Sequence, residues 1–340
     1  MMAKVVDVYF NPGTATYEEV LSDLDVEVIK TLCHNEDEII AAASDADAVI
    51  TVALRQLQPF TRRVIETLDT CRIIACIGIG YDNVDIDAAT DHGICVTNVP
   101  DYCLEEVSDH TMALILALAR KFPEVISKVK SGGWFITPDS RKKLSPMSRL
   151  RGQTLGLIGF GSIARTLVPK AKGFGLKILV HDPYVSSDEL RGLGVEVVGL
   201  DRLLEVSDFV SLHAALTPKN SKMMGLEQFK RMKPTACLIN TARGGLVDEE
   251  VLSTALLEGL IAGAGLDVLE AEPAVPDNPL YALDNVIVTG HAAGYSDQSE
   301  EEVWRRPWEE AASVLRGEWP RSLVNPRVKE KFLAKWGNMS

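Results

Sequence analysis

The sequence predicts an α/β protein built on two doubly wound parallel sheets. Short apolar runs alternate with helical patterns along the 340-residue chain, as they do in a series of strand–helix–strand units. The runs are nearly continuous in valine and isoleucine, which is typical of parallel strands that are buried on both faces. The alternation occurs twice, before and after an irregular stretch, and a chain of this length is expected to form about two domains.

The first series contains five predicted strands and is followed by a long helix at residues 104–120. That helix carries the run Met-Ala-Leu-Ile-Leu-Ala-Leu-Ala, which is apolar nearly all round and therefore predicts a buried helix. Residues 131–134 and 138–146 are predicted to be an irregular connection. The predicted strands cover residues 5–10, 26–30, 48–52, 72–77 and 94–99, and the helices between them include 36–43 and 59–68.

The second series is larger and contains seven predicted strands. A final helix is predicted at residues 296–316, and an extended segment at 319–326 follows it. The predicted strands cover residues 154–159, 177–182, 195–198, 209–213, 236–240, 264–268 and 286–289.

The charge and the apolar runs exclude several classes of protein. A net charge of −13 argues against a nucleic-acid-binding protein, which needs a basic surface against phosphates, and disfavours binding to an anionic membrane. The longest apolar run, residues 112–119, is far shorter than the roughly 20 residues of a membrane-spanning helix. Because the first residues also lack a signal-peptide pattern, a cytoplasmic protein is expected.

The six cysteines do not form a metal-binding pattern. None belongs to a C-x-x-C pair, and no histidine cluster accompanies them. Cys76, Cys95 and Cys237 lie inside apolar, strand-like runs. Buried thiols in a reducing compartment are therefore predicted, and no metal site.

A G-x-G-x-x-A motif opens the second series, between a predicted strand and a predicted helix. Gly159 permits the tight turn, and Gly161 lets the backbone approach a pyrophosphate because no Cβ stands in the way. Ala164 is small enough for the helix to pack on the strand, and the helix N-terminus offers N–H groups to phosphates. The alternative is an ordinary strand–helix turn of an α/β protein.

The residue that ends the next predicted strand favours a dinucleotide. Asp182 lies 21 positions after Gly161, where a carboxylate would bind the hydroxyls of the adenosine ribose. Its charge would repel a 2′-phosphate, and Pro183 and Tyr184 offer no arginine to accept one. The sequence therefore predicts NAD rather than NADP.

Three later strands end near side chains suited to hydride-transfer chemistry: Arg243, then Asp267 and Glu272, then His291. Ligands of open α/β sheets gather at the carboxyl ends of the strands. An arginine can bind a carboxylate through two hydrogen bonds, and a histidine can exchange a proton with a hydroxyl near neutral pH. A glutamate can orient that imidazole and raise its pKa. Each residue alone could be an ordinary surface or turn residue, but their joint occurrence after a dinucleotide motif favours catalysis.

Several motifs resemble those of the D-isomer-specific 2-hydroxyacid dehydrogenases over nearly the whole chain. They are GIGYDNVD (78–85), TNVP (97–100), LRGQTLG (150–156), NTARGGLVD (240–248) and HAAG (291–294). The most similar branches are the phosphoglycerate and glycerate dehydrogenases and the C-terminal-binding proteins. Glu272 stands where formate dehydrogenases have glutamine, and Ile79 where phosphite dehydrogenases have lysine. The C-terminal-binding-protein branch has tryptophan in place of Gly294 and arginine in place of Cys76.

The resemblance implies an architecture in which one domain is inserted into the other. A Rossmann NAD-binding domain at residues 101–290 would interrupt a flavodoxin-like substrate domain made of residues 1–100 and 291–340. The region of the helix at 104–120 would form the contact of a homodimer.

The resemblance also implies roles for individual residues. Arg243 would bind the carboxylate and carbonyl of the substrate, His291 would be the acid/base, and Glu272 would be its partner. Backbone amides of Gly78, Ile79 and Gly80 would bind the substrate carboxylate, and Asp267 would meet the nicotinamide carboxamide. The implied cofactor contacts are Gly159, Gly161, Ser162, Ile163, Asp182, His213, Ala214, Thr241, Ala242, Arg243, Asp267, His291 and Gly294.

These inferences predict an NAD-dependent oxidoreductase that interconverts a small D-2-hydroxy acid and its 2-oxo acid. The alternative is an NAD(H)-sensing, corepressor-like interaction protein with a vestigial dehydrogenase site. Substrate choice is expected to depend on loop side chains such as Leu54, Arg55, Tyr81, Trp134 and Tyr295. Neither a nucleic acid nor a membrane is expected as a partner. The protein is expected to form a homodimer.

Overall fold

The computed structural model describes residues 2–9, 17–52, 58–186 and 188–339. The chain falls into two compact units, one made of Met1–Tyr102 with Ser296–Ser340 and the other of Cys103–Tyr295. Each unit contains one parallel sheet with helices on both faces.

The strands of the described residues form a five-stranded sheet in the first unit and a seven-stranded sheet in the second. Every strand pair in both sheets is parallel, so the predicted fold class is confirmed. The strands are β1 Ala3–Asp7, β2 Val26–Lys30, β3 Ala48–Val52, β4 Ile73–Ile77, β5 Cys95–Thr97, β6 Thr154–Ile158, β7 Lys177–His181, β8 Glu196–Val197, β9 Phe209–Leu212, β10 Cys237–Asn240, β11 Gly263–Leu266 and β12 Val286–Val288.

The strand orders are those of two doubly wound folds. The first sheet has the order β2-β1-β3-β4-β5, which is the flavodoxin-like order. The second has the order β12-β11-β10-β9-β6-β7-β8, so that the chain reverses direction across the sheet next to β6. Ligands of such folds bind at this reversal, outside the carboxyl ends of the strands. A ligand site is therefore expected among the residues that follow β6, β9, β10, β11 and β12.

The helices cover both faces of each sheet. They are α1 Tyr17–Val20, α2 Glu36–Ala43, α3 Arg62–Ile65, α4 Ile86–Asp91, α5 Leu104–Ala119, α6 Phe122–Lys130, α7 Pro138–Lys142, α8 Ser162–Gly173, α9 Leu200–Val206, α10 Leu226–Arg231, α11 Glu249–Leu257, α12 Asp297–Leu315 and α13 Lys329–Trp336. In the first unit, Trp308 of α12 and Phe332 of α13 pack against buried strand residues such as Val5 and Ile50. Within the described residues, no helix is both long and apolar enough to cross a membrane.

Three helices were not predicted. The stretch at 138–146, predicted to be irregular, contains α7, whose first residue is Pro138 and whose N-cap is Thr137. Helix α6 precedes it, and α13 follows the segment that was predicted to be extended. The first strand also begins and ends earlier than predicted, at Ala3–Asp7, and Phe10 lies outside the described residues.

Helix α5 is buried on one face only. Met112, Leu114 and Ile115 are buried, as the apolar run predicts, but Ala113 is exposed and residues 116–119 are half-buried. The buried face packs against α8, β10 and β11. Leu118 near the end of the helix lies by Gly263 at the start of β11, whereas His110 and Thr111 bond Thr289 and Thr241 beyond the strand ends.

Candidate active site

The first glycine of the G-x-G-x-x-A motif makes a turn that no other residue fits. Gly159 has a φ of +88°, a conformation that L side chains rarely adopt. A Cβ at this position would lie 2.6 Å from the backbone nitrogen of Ala214 and 2.7 Å from the carbonyl carbon of His213. The turn after β6 therefore touches the loop after β9. His213, on that loop, has its pKa lowered by burial to about 4, which keeps its imidazole neutral.

The second glycine leaves open space at the start of α8. Nothing lies within 4 Å of a Cβ built on Gly161, and no side chain caps the helix. The backbone N–H groups of the first turn, at Ser162 and Ile163, have no partner within the helix. An exposed glycine next to these donors is the arrangement that a pyrophosphate requires, so the residues present fit a dinucleotide.

Asp182 is fixed beside the same turn. One carboxylate oxygen accepts the backbone N–H of Phe160 and the other accepts that of Tyr184, both at 2.8 Å. The residue is half-buried and follows β7, the strand adjacent to β6. The carboxylate is therefore held next to the glycine turn at the carboxyl ends of β6 and β7.

A buried asparagine and a glycine shape the loop that carries Arg243. The amide of Asn240 accepts the backbone N–H of Ala242 at 3.1 Å and donates to the carbonyl of Arg243 at 2.9 Å. A Cβ on Gly244 would lie 1.9 Å from the carbonyl oxygen of Leu269, so only glycine fits this contact. The loop after β10 is thus pressed against the loop after β11, on which Glu272 lies.

His291 and Glu272 form a charged hydrogen bond. Nδ1 of His291 lies 2.7 Å from Oε2 of Glu272, and because a carboxylate only accepts, Nδ1 is the donor. The other oxygen of Glu272 accepts the backbone N–H of Leu269 at 3.0 Å. The imidazole side chain is half-exposed (51%) and the carboxylate less so (30%). The imidazole is thus oriented by Glu272 and accessible at the same time.

The two partners shift each other's pKa in opposite directions. The hydrogen bond and the charge of Glu272 raise the pKa of His291, although burial and the charge of Arg243 oppose this rise. Burial tends to raise the pKa of Glu272, but the hydrogen bond and charge of His291, with smaller contributions from Leu269 and Arg243, lower it overall. Each partner therefore stabilises the charged form of the other.

The structure places the other predicted residues in two groups. Thr241 is buried in the second unit, and its hydroxyl lies 2.9 Å from that of Thr111 in α5. The predicted carboxylate-binding loop lies in the first unit: Gly78 has a φ of +95°, and Asn98 donates to the carbonyl of Ile79 at 2.7 Å. Among the specificity loops, Trp134 and Tyr295 are exposed and Tyr81 is half-buried, whereas Leu54 and Arg55 lie outside the described residues.

Sequence reasoning missed residues that hold the site together. Asn240 and Gly244 form the loop of Arg243, and Thr289 and His110 bond next to Asp267. His110 gave no signal of its own, because it stands between Asp109 and Thr111 in the polar first half of α5.

Comparison with known proteins decides the family. Residues 112–293 match the family described as D-isomer specific 2-hydroxyacid dehydrogenase, NAD binding domain. A glyoxylate reductase from Korarchaeum cryptofilum is 42% identical over 294 residues, which are 85% of this chain and 86% of that protein. The chain belongs to the D-isomer-specific 2-hydroxyacid dehydrogenase family.

Two further proteins are similar to this dehydrogenase. A D-3-phosphoglycerate dehydrogenase from Methanocaldococcus jannaschii is 39% identical over 313 residues, covering 92% of the chain and 57% of that protein. The structure of a D-lactate dehydrogenase from Aquifex aeolicus, complexed with NAD and lactic acid, matches with a TM-score of 0.78 and 28% identity over 99% of this chain and 98% of that one. The dehydrogenase is therefore an NAD-dependent enzyme that interconverts 2-hydroxy and 2-oxo acids, as predicted, and the corepressor-like alternative is not favoured.

Proposed function

We propose that the dehydrogenase reduces a small 2-oxo acid to the D-2-hydroxy acid, with Arg243, Glu272 and His291 as its catalytic residues. The observation that carries this proposal is the 2.7 Å bond between His291 and Glu272, on loops adjacent to that of Arg243. The similarity to a glyoxylate reductase supports a short substrate.

His291 is the proton donor in the proposed reaction. Its Nδ1 proton is held by Glu272, so Nε2 of the charged imidazole carries the proton that is given to the substrate carbonyl oxygen. NADH, when bound, supplies the hydride that adds to C2. The carbonyl thereby becomes a hydroxyl, and His291 is left neutral.

Arg243 binds and polarises the substrate. Its guanidinium presents a planar set of donors that can bind a carboxylate and also stabilise negative charge on the carbonyl oxygen. Binding by the backbone amides of Gly78, Ile79 and Gly80 stays a prediction from the resemblance, as do the individual cofactor contacts.

A steady-state assay with NADH and a panel of 2-oxo acids tests this function. We expect turnover of at least one short 2-oxo acid, with the D-isomer as product wherever the product is chiral. Binding of NADH without turnover of any member of the panel would contradict the proposal and favour the NAD(H)-sensing alternative.

Asp182 is expected to make NADH the preferred cofactor. Replacing Asp182 with alanine should raise KM for NADH about tenfold, because a hydrogen bond to a charged group is lost, and should relax the preference over NADPH. The measurement is kcat/KM for both cofactors. Asp188→Ala is the matched control, because it removes an exposed carboxylate that pairs with Arg191. Equal kcat/KM for the two cofactors in the unmodified enzyme would refute the assignment.

We also infer that the dehydrogenase is a homodimer. Helix α6 has no buried residue, and Phe122, Ile126 and Val129 form an exposed apolar stripe at helical spacing. Trp134 and Ile136, which follow the helix in the chain, have 67% and 70% of their surfaces exposed. An apolar surface of this kind favours an interface, and a second copy is the proposed occupant.

Light scattering at micromolar concentration tests the dimer. We expect twice the chain mass for the unmodified protein and a shift toward the monomer for Ile126→Glu, because a charge in an apolar interface is costly. Lys128→Glu, on the same helix but outside the stripe, should remain dimeric. A monomeric unmodified protein would contradict the inference.

A cytoplasmic location is proposed as well. The support is that all six cysteines are buried, as expected for thiols that are kept in a reducing compartment. Cell fractionation followed by the NADH-dependent assay tests this location.

A further inference from the structure

His291 has a backbone conformation that requires support. Its φ is +61°, in the left-handed region that non-glycine residues seldom occupy. The backbone N–H of His291 donates to the carbonyl of Asp267 at 2.5 Å. The loop after β12 is therefore tied directly to the end of β11.

The side chain of Asp267 holds the residues on both sides of His291. Its carboxylate is 2% exposed. Oδ1 accepts the backbone N–H of Ala292 at 2.8 Å and the hydroxyl of Thr289 at 2.6 Å, and Oδ2 accepts the N–H of Ala293 at 3.0 Å. One buried anion thus fixes the backbone around the proposed proton donor.

The hydroxyl of Thr289 determines the proton position on a second histidine. Nε2 of His110, in α5, lies 2.9 Å from Oγ1 of Thr289. Thr289 has one hydroxyl proton, which it donates to Asp267, so its oxygen can only accept from His110. Nε2 of His110 therefore carries a hydrogen.

We propose that His110 and Thr289 are positioning residues for His291, linked by a one-way chain of hydrogen bonds from His110 Nε2–H through the Thr289 hydroxyl to the Asp267 carboxylate. This inference rests on the proposed role of His291. Neither His110 nor Thr289 needs to touch substrate, since they act through Asp267 on the loop that aims the imidazole.

The chain of hydrogen bonds also limits which oxygen of Asp267 can bind the cofactor. A carboxylate oxygen offers about two acceptor sites, and those of Oδ1 are both used, by Thr289 and Ala292. Oδ2 has one bond, from Ala293, within this network. A contact between Asp267 and the nicotinamide carboxamide, as the resemblance implies, would therefore be made by Oδ2.

The tautomer of His110 can be measured without any turnover. Long-range ¹H–¹⁵N correlation spectra of the full chain, recorded at about pH 8.5 where an ordinary imidazole is neutral, report which ring nitrogen bears hydrogen. His110→Gln assigns the signals by their loss. A hydrogen on Nε2 of His110 supports the proposed chain of hydrogen bonds, and an Nε2 without hydrogen overturns it. This measurement needs no turnover, so it remains decisive even if no 2-oxo acid is reduced. Failure of the hydrogen-bond chain can therefore be told apart from failure of the proposed function.

Conservative variants separate positioning from a general loss of structure. Thr289→Ser keeps the hydroxyl and should retain near-normal kcat, whereas Thr289→Val keeps the shape and should lower kcat about tenfold or more through misplacement of the imidazole. His110→Gln places an amide N–H close to where Nε2 stands and should retain activity, whereas His110→Asn cannot reach and should not. KM should change little in all four, whereas Tm should fall modestly in Thr289→Val and His110→Asn, which each leave a polar group near Asp267 with one partner fewer. Equal kcat for the serine and valine variants, or for the glutamine and asparagine variants, would overturn the proposal.

Discussion

Replacing His291 with asparagine is expected to lower kcat for 2-oxo acid reduction roughly a hundredfold or more, the usual scale for loss of a positioned acid/base. Asparagine can still bond Glu272 but cannot carry a transferable proton near neutral pH. NADH binding should survive, because the glycine turn and Asp182 follow β6 and β7, on different loops. Fluorescence titration with NADH and single-turnover reduction measure the two properties separately. Near-normal turnover would remove His291 from the mechanism.

The pH dependence of the unmodified enzyme and of Glu272→Gln provides the matched control. Reduction needs the charged imidazole, so kcat/KM should fall as pH rises through the raised pKa of His291. Glutamine keeps the shape of Glu272 but removes its charge. The pKa of His291 should therefore fall, and kcat/KM should begin to decrease at a lower pH than in the unmodified enzyme. Identical profiles at saturating NADH would show that Glu272 does not tune the histidine.

Much of the fold could be predicted because buried parallel strands leave a simple pattern. The strand at Ala48–Val52 occupies the predicted residues, and its first four residues are buried. The strand at Val26–Lys30 also occupies the predicted residues, although it lies at the edge of the sheet and none of its residues is fully buried. The missed helices had conflicting signals. Pro138 suggests a loop, but proline is favoured in the first turn of a helix, and Thr137 caps α7 through the backbone N–H of Ser140.

The proposed catalytic residues could be grouped from the sequence because they follow neighbouring strands. Arg243, Glu272 and His291 come after β10, β11 and β12, which are adjacent in the sheet, so a rule about strand ends brings them together. The contacts that fix them were beyond such a rule. His110 and Thr289 are 179 positions apart, and their bond depends on how α5 packs across the sheet. The approach of Gly244 to Leu269 likewise depends on loop geometry that no local pattern indicates.

Replacing Arg243 with alanine is expected to lower kcat/KM for the 2-oxo acid by about a hundredfold or more, because both carboxylate binding and polarisation of the carbonyl are lost. Arg243→Lys keeps the charge but not the planar pair of donors, so it should recover only part of the activity. The control is Arg231→Ala, which removes a surface arginine that pairs with Asp201 and Glu205 and should leave kcat/KM unchanged. Steady-state kinetics at saturating NADH measure all three.

The pH profile gives Arg243→Ala a signature that a merely destabilised enzyme would lack. The charge of Arg243 lowers the pKa of His291, so its removal should raise that pKa and move the loss of residual activity to higher pH. This shift is opposite in sign to the one expected for Glu272→Gln, where a charge that raises the pKa is removed. Shifts in the same direction for both variants would contradict the proposal that an anion and a cation act in opposite directions on one imidazole.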